Sequence, residues 1–332
     1  MDRIGDRLEA SACVLCGDTQ RIVVETMGRG PEPLTTVLCE GCGLVSHHPL
    51  PDAAEMAAFY AERYRKDYKG AWTPKRKHSL RALRGAARRA ARLAALIPAG
   101  ARVLDVGASS GEFTCAMARS GFLAEGIEPN RRYAAFGAET YGVAVAQGGI
   151  DDAAFEPGRF QLITLNHVFE HLCYPLGALA TLRRWLADDG FLFLEVPDLA
   201  ASRKQRATMF HRAHIWNFGS ETLIALCAQA GFAPRPGEDL SQTSLVFVKA
   251  PPAAAKRAPD VAARYLARLQ TEQSPLGYLL SGAPFTRRWS RLKRNLEERR
   301  ALRAFPDERA MADAVIASAG VRPRPDATAS AA

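Results

Sequence analysis

Two C-x-x-C pairs stand near the start of the chain, Cys13-Val14-Leu15-Cys16 and Cys39-Glu40-Gly41-Cys42, each followed directly by a glycine, Gly17 and Gly43. Pairs about twenty residues apart suit a four-thiolate zinc ribbon or knuckle, in which each pair closes a tight turn round one tetrahedral ion. With every position a thiolate, no ligand site is left for water, so such an ion would hold the fold together and perform no chemistry. Disulfides are the competing use of four cysteines. The first residues lack the charged-then-apolar form of an export signal, and a reducing compartment favours metal. His47 and His48 are alternative ligands that read better as polar residues near a domain edge. Cys115, Cys173 and Cys227 lie among apolar neighbours and read as core.

Proton-transfer chemistry points to a second stretch, Asn166-His167-Val168-Phe169-Glu170-His171-Leu172. Histidine is the natural proton acceptor at neutral pH, and a nucleophile must lose its proton as an electrophile arrives. Glu170 and His171 are therefore catalytic candidates; the alternative is that they hydrogen-bond to order their loop. A third constellation, His211 to Leu223, contains His211, His214, Trp216 and Phe218, of which the two aromatics suit a core equally well. A fourth is the glycine turn Gly107 to Gly111, whose missing side chains let backbone N–H groups and a helix N-terminus approach a polar ligand. About twenty residues on, Glu128 ends the next apolar run, where a carboxylate can accept both hydroxyls of a ribose. Together these two features indicate a nucleoside ligand.

The elements that must position these groups alternate. Val103–Val106 reads as a buried strand, followed by a helix over Glu112–Ser120; Phe122–Ile127 is a strand and Arg131–Thr140 a helix. A short strand over Val143–Ala146 leads to Gly148–Asp152. Phe160–Leu165 is the fourth strand, Leu176–Leu186 a helix, Gly190–Val196 the fifth strand and Ser244–Lys249 the last. Such alternation implies a parallel sheet with right-handed crossovers and ligands at the carboxyl ends of its strands. Ser220 is the expected N-cap of a helix running to Ala230, with Gly231 ending it. Ahead of the sheet, Ala53–Tyr64 reads as helical and Lys75–Ile97 as a long basic helix with one apolar face; solvent is the expected neighbour of its Arg-rich side. Tyr64 and Tyr68 are lid candidates, with packing the alternative.

Asp105-Val106-Gly107-Ala108-Ser109-Ser110-Gly111 resembles the first motif of class I S-adenosylmethionine-dependent methyltransferases. The resemblance implies a Rossmann-like α/β sheet with helices on both faces. It also implies a cofactor site using Asp105, Gly107, Ala108, Gly111, Glu128, Ile150, Asp151 and Asn166. Ser109 stands where that family commonly has a middle glycine. The Asn166–Leu172 stretch resembles the "EH" segment that follows the fourth strand in many members, which implies that Glu170 and His171 lie near the transferred methyl. In ubiquinone-biosynthesis O-methyltransferases a similar segment ligates a divalent ion with two acids and the histidine; here His167 replaces the first acid, so no catalytic metal is expected. His211 to Leu223 resembles the segment bordering the acceptor pocket, which adds His214 to the catalytic candidates. The order of cysteine module, basic helix and core resembles the branch that includes deoxysugar C-methyltransferases and surface-polysaccharide relatives. Members of that branch carry a large C-terminal α/β domain, whereas here about eighty Ala/Arg-rich residues follow the core.

The 332 residues, 48% hydrophobic, suffice for two or three units with real cores. The expected segments are a zinc-binding module (1–52), a helical connector (53–98), the methyltransferase domain (99–250), a helical extension (251–319) with helices over Pro259–Leu269 and Phe285–Leu302, and a disordered tail (320–332). No apolar run spans a membrane, and a cytoplasmic location is expected. The net charge of +9, concentrated at 63–92 and 287–303, admits nucleic acid, an anionic membrane or a phosphate-bearing substrate; solvated helix faces are the plain reading. The function expected is methylation of a small hydroxylated acceptor resembling a sugar or nucleotide sugar. The alternative is a nucleic-acid or protein methyltransferase that grips a polymer through the basic helices and zinc module.

Overall fold

The computed structural model describes residues 3–29, 32–60, 73–202, 204–254 and 256–322, so Tyr64, Tyr68 and the tail from residue 323 fall outside it. Packing divides the chain into two compact units. The first comprises Met1–Met56, His167–Arg183 and Leu194–Arg291; the second comprises Ala57–Asn166, Arg184–Phe193 and Leu292–Ala332. They are interleaved along the chain and describe packing rather than the linear segments read from the sequence.

In the first unit the strands Arg7–Glu9 (β1), Gln20–Met27 (β2), Pro33–Cys39 (β3) and Val45–His47 (β4) pair antiparallel in that order. A two-residue strand, Trp216–Asn217, extends the sheet beyond β4, with Trp216 opposite Ser46 and Asn217 opposite Val45. These strands escaped the sequence reading because Ile22-Val23-Val24 and Val37-Leu38 are continuous apolar runs, not the alternation of a half-exposed strand. Their burial has a cause far along the chain. Val24, Leu38 and Val45 share a core with Val261, Ala262, Tyr265 and Leu269 of the helix Pro259–Gln270.

The second unit holds a parallel sheet. Arg102–Val106 (β5) lies between Leu123–Glu128 (β6) and Phe160–Asn166 (β8), and β6 pairs onward with Ala144–Gln147 (β7). Leu186–Glu195 (β9) runs beside β8. Val103, Leu104, Leu162, Ile163 and Leu165 are fully buried, as strands covered on both faces require. The helix Arg76–Ala94 buries the stripe Leu80, Leu83, Ala87, Ala90 and Leu93. Solvent was expected on its basic side, and in part this chain's own acids stand there instead. Arg81 makes a two-pronged ion pair with Glu298, and Arg76 donates to the Phe305 carbonyl at 2.8 Å and pairs with Glu308 at 3.3 Å. The helix Glu308–Ala319, which the sequence reading did not distinguish, buries Met311, Ala312 and Ile316 against Arg76–Ala94 and Glu112–Arg119.

The first unit also contains Trp216–Asn217 (β10) and the antiparallel pair Phe232–Pro234 (β11) and Ser244–Lys249 (β12). The helix Ser220–Gln229 is capped by Gly219 and not by Ser220: the Gly219 N–H donates to Thr222 Oγ1 at 3.1 Å, while the Ser220 hydroxyl turns to Glu221.

Candidate active site

The glycine turn sits between β5 and the helix Glu112–Arg119. Gly107, Ser109 and Gly111 have φ of +70°, +55° and +81°, so the turn needs left-handed backbone at three positions. For a serine that conformation costs roughly 1–2 kcal/mol, which is the physical reason a glycine is common where Ser109 stands. Most of the amides expected to face a ligand are used inside the protein. Gly107 and Ala108 N–H both donate to the Ile127 carbonyl, at 2.8 and 2.9 Å, and Gly111 N–H donates to Ala108. Ser109 N–H donates to Glu128 Oε2 at 2.9 Å, and Asn130 N–H donates to Oε1 at 3.2 Å. Glu128 is thus fixed at the end of β6.

Asp105, in the middle of the sheet, does a different job. Its Oδ1 accepts from Thr164 Oγ1 at 2.7 Å and from Asn166 Nδ2 at 3.1 Å, which fixes the amide at the end of β8. Asn166 Oδ1 is left buried without a hydrogen-bond partner among the described residues, an acceptor awaiting a donor. Ile150 is buried beyond β7, and Asp151 is exposed; the neighbouring turn is closed by Asp152, which accepts from Gly149 N–H at 2.8 Å. Gly126 faces the turn so closely that a Cβ there would stand 2.6 Å from Ala108 Cβ and 3.0 Å from Thr114 Oγ1. Gly126→Ala is therefore expected to displace the turn, at a cost of about 1–3 kcal/mol of stability. S-adenosylmethionine affinity should fall more than tenfold (on the order of 1–2 kcal/mol), and unchanged affinity by calorimetry would refute the argument.

Beyond Asn166 the chain enters the first unit. His167 has φ +57° and donates its N–H to the Glu195 carbonyl at 2.8 Å, while its Nε2 lies 3.1 Å from Glu195 Oε1. The short turn Phe169–His171 follows. Glu170 is 1% exposed, and neither carboxylate oxygen has a hydrogen-bond partner among the described residues. Around its Oε1 stand His214 Nε2 at 3.7 Å, His167 Nδ1 at 3.8 Å and His171 Nε2 at 3.9 Å. Burial pushes Glu170 up to about 7, opposed by His167. Burial likewise holds His214 far below the usual histidine range and lowers His211 to about 3, helped by neighbouring positive groups. His171 Nδ1 lies 2.5 Å from the Ala213 carbonyl, which can only accept, so Nδ1 carries the proton and Nε2 is the basic nitrogen.

His214 reaches this cluster from a distant part of the sequence. Its ring is 3.7 Å from that of His211 and 5.0 Å from that of His171, centre to centre. Trp216 Nε1 donates to the Leu172 carbonyl at 2.8 Å, pinning the end of the Glu170–His171 turn, and Phe218 stacks on Phe169 as core. Spacing along 166–172 gave no sign of His214. Glu170, His171 and His214 have ligand atoms within 4.8 Å of one another, a donor set that the reading against a catalytic metal did not weigh. His214 also lines a cavity of about 450 Å³ whose polar wall includes Asp198, Ser202, Lys204, Asn217 and Arg287. Burial lowers the Lys204 ammonium from its ordinary value, as does the nearby Arg287.

Asp105 and Glu170 share a pH signature. Burial raises both to about 7 from ordinary values of 3.8 and 4.5. A carboxyl whose folded value is raised contributes stability that is complete below its unfolded value and is lost as pH climbs through the folded one. Each contributes on the order of 3 kcal/mol. The melting temperature is expected to fall between about pH 4 and pH 7. Glu170→Gln should flatten that fall, and a wild-type melting temperature that rises over the range would contradict it.

The four cysteines of the first unit come together. Gly17 N–H donates to Cys13 and Gly43 N–H to Cys39, both at 2.9 Å, so each pair closes the same turn, with Gly17 and Gly43 at φ +75° and +80°. Sulfur separations are 3.7 Å for Cys13–Cys42 and 3.5 Å for Cys16–Cys39. A tetrahedral ion about 2.3 Å from each sulfur would space them about 3.8 Å apart, whereas a disulfide would place them at about 2 Å. Hydrogen bonds from Cys39 and Cys42 pull the Cys13 thiol down to about 4, and contact with Cys13 and Cys39 pushes Cys42 up. Only a cation would let all four ionise. Neither His47 nor His48 joins the group.

Comparison with known proteins gives a family match and weaker structural likenesses. Residues 77–235 match a family model described as a methyltransferase domain. No curated protein matches the chain. Among solved structures, a possible histamine N-methyltransferase of Thermotoga maritima is 18% identical, with a TM-score of 0.43 over 58% of this chain and 97% of that one. The 1,6-didemethyltoxoflavin-N1-methyltransferase of Burkholderia thailandensis, solved with bound 1,6-didemethyltoxoflavin and S-adenosylhomocysteine, is 20% identical, with a TM-score of 0.45 over 62% and 96%. The phosphoethanolamine N-methyltransferase 1 of Haemonchus contortus is 14% identical, with a TM-score of 0.46 over 65% and 54%. The acceptors of those enzymes are their own. The match gives residues 77–235 of this chain as an S-adenosylmethionine-dependent methyltransferase domain, in which the parallel sheet carries the glycine turn beside Glu128.

Proposed function

We propose that the enzyme methylates a small hydroxylated acceptor carrying negative charge, of the sugar or nucleotide-sugar kind, with His171 as proton acceptor and a structural zinc ion on Cys13, Cys16, Cys39 and Cys42. One observation carries the reading: His214 belongs both to the Glu170–His171 cluster and to the wall of a cavity that offers Lys204 and Arg287. A cavity of about 450 Å³ suits a small molecule. Two cations in one wall, with the ammonium already lowered, favour an anion such as a phosphate.

The residues of the second unit fit S-adenosylmethionine. Glu128 sets a carboxylate at the end of β6 where a ribose would lie, Asn166 Oδ1 is a buried acceptor without a partner among the described residues, and Gly126 with Ala108 keeps the turn open to close approach. When bound, the cofactor supplies an electrophilic methyl on a sulfonium and an excellent leaving group. His171 Nε2 takes the acceptor's hydroxyl proton as the new oxygen–carbon bond forms, and its Nδ1–H stays on the Ala213 carbonyl to hold the ring's orientation. Glu170 stabilises the resulting imidazolium, while Lys204 and Arg287 hold the charged end of the acceptor.

The test is to incubate labelled S-adenosylmethionine with cell extract split into small-molecule, nucleic-acid and protein fractions. Label should enter anionic small molecules, and Arg287→Ala should raise their KM about tenfold with kcat nearly unchanged. Label in a polymer would overturn the reading and turn the basic helices into a substrate-holding surface.

A further inference from the structure

The helix Ala283–Leu302 is amphipathic with its faces reversed. Phe285, Trp289, Leu292 and Leu296 recur at helical spacing and form one stripe within about 60° of arc, yet they are 76%, 73%, 52% and 67% exposed. The polar side is the one that packs on the protein. Glu298 is buried in its ion pair with Arg81, and Asn295 Oδ1 accepts from Arg81 Nη2 at 3.2 Å. Arg287, opposite the stripe, lines the cavity of the first unit. Just before this helix, Leu276, Leu279 and Leu280 are also exposed. Seven of the thirteen exposed large hydrophobics thus fall between residues 276 and 296. Such concentration marks an interaction surface and not scattered surface residues.

Charge selects the partner. The helix carries seven Lys or Arg against two Glu, a net +5, and helical spacing sets Arg288 and Arg299 along one border of the stripe and Lys293 and Arg300 along the other. Apolar side chains bordered by cations match a surface of hydrocarbon beneath anionic headgroups, with aromatic Trp289 at the boundary. We propose that this helix binds the surface of an anionic lipid bilayer, lying in its plane with the stripe sunk among the acyl chains and the bordering Arg and Lys on the headgroups. The helix is too charged to cross: no helix of the described residues is long and apolar enough to span a membrane. The proposal is independent of which acceptor is methylated.

The test is co-sedimentation of the full-length protein with vesicles of phosphatidylcholine alone, or with about one third phosphatidylglycerol. Binding is expected only to the anionic vesicles, and to weaken with salt. The double variant Trp289→Ser, Leu292→Ser should bind at least about tenfold more weakly while keeping wild-type methyl transfer and melting temperature. Absence of binding to anionic vesicles, or undiminished binding by the variant, would overturn the proposal. So would light scattering that shows a dimer dispersed by the same two substitutions, which would make a second copy the occupant. Helix-dependent binding to RNA without binding to vesicles would overturn it as well.

Discussion

Cys39→Ser is expected to unfold the N-terminal sheet and to leave the chain largely insoluble. Cys39 closes β3 opposite Arg21, donates its N–H to the Leu44 carbonyl at 2.9 Å and sets its sulfur 3.5 Å from Cys16. Arg21 Nη1 reaches the same sulfur at 3.6 Å, a contact that favours the thiolate. Binding of a structural zinc ion is worth roughly 10–16 kcal/mol, comparable to the 5–15 kcal/mol that holds a typical domain folded. Losing one of four ligands should therefore exceed what β1–β4 can absorb. The measurements are metal content by mass spectrometry, expected near one zinc per chain, and melting with and without chelator. A metal-free wild type, or a Cys39→Ser protein with an unchanged melting temperature, would end the zinc reading.

His171→Ala is expected to lower turnover by about 10²–10⁴ while leaving S-adenosylmethionine affinity within about threefold. Tautomer and place set the expected effect. The Ala213 carbonyl fixes the proton on Nδ1, and Nε2 lies in the cluster that shares His214 with the cavity. The residues proposed to hold the cofactor, Asp105, Glu128 and Asn166, make their own contacts within the second unit. Isothermal titration with S-adenosylhomocysteine beside single-turnover kinetics separates the two effects. Equal loss of both would make His171 a residue that only orders its turn. Divalent ions provide a second readout, because an ion held by Glu170, His171 and His214 would take the nitrogen proposed to accept the proton. Added Zn²⁺ or Mn²⁺ should inhibit, and activation would replace proton transfer with metal chemistry.

What was legible in the sequence was local. The alternation of apolar runs and helices, the C-x-x-C pairs and the D-V-G-A-S-S-G turn each occupy a dozen residues or fewer, and their chemistry can be read without knowing what they touch. The parts that stayed hidden depend on long-range partners. Val261 and Tyr265 bury strands near residue 24, and Glu298 meets Arg81 across 217 positions, while His214, which resemblance alone added to the candidates, meets Glu170 across 44. No periodicity encodes such meetings. The turn's amides were expected to face a ligand, and only the fold shows that the Ile127 carbonyl takes Gly107 and Ala108. Ser109 is an intermediate case. Its residue type marked a departure from the family, and its φ of +55° shows what the departure costs.

The pairing of β4 with β10 puts the ribosome into the account. Residues 45–47 leave the exit tunnel with their strand edge bare, and the two residues that cover it are synthesised about 170 positions later. At roughly 5–20 residues per second that is a wait of about ten to thirty seconds. The helix Pro259–Gln270, which buries Val24, Leu38 and Val45, arrives later still. The nascent amino-terminal segment is thus expected to mature only once the carboxy-terminal half of the polypeptide emerges, which couples its folding to completion of translation.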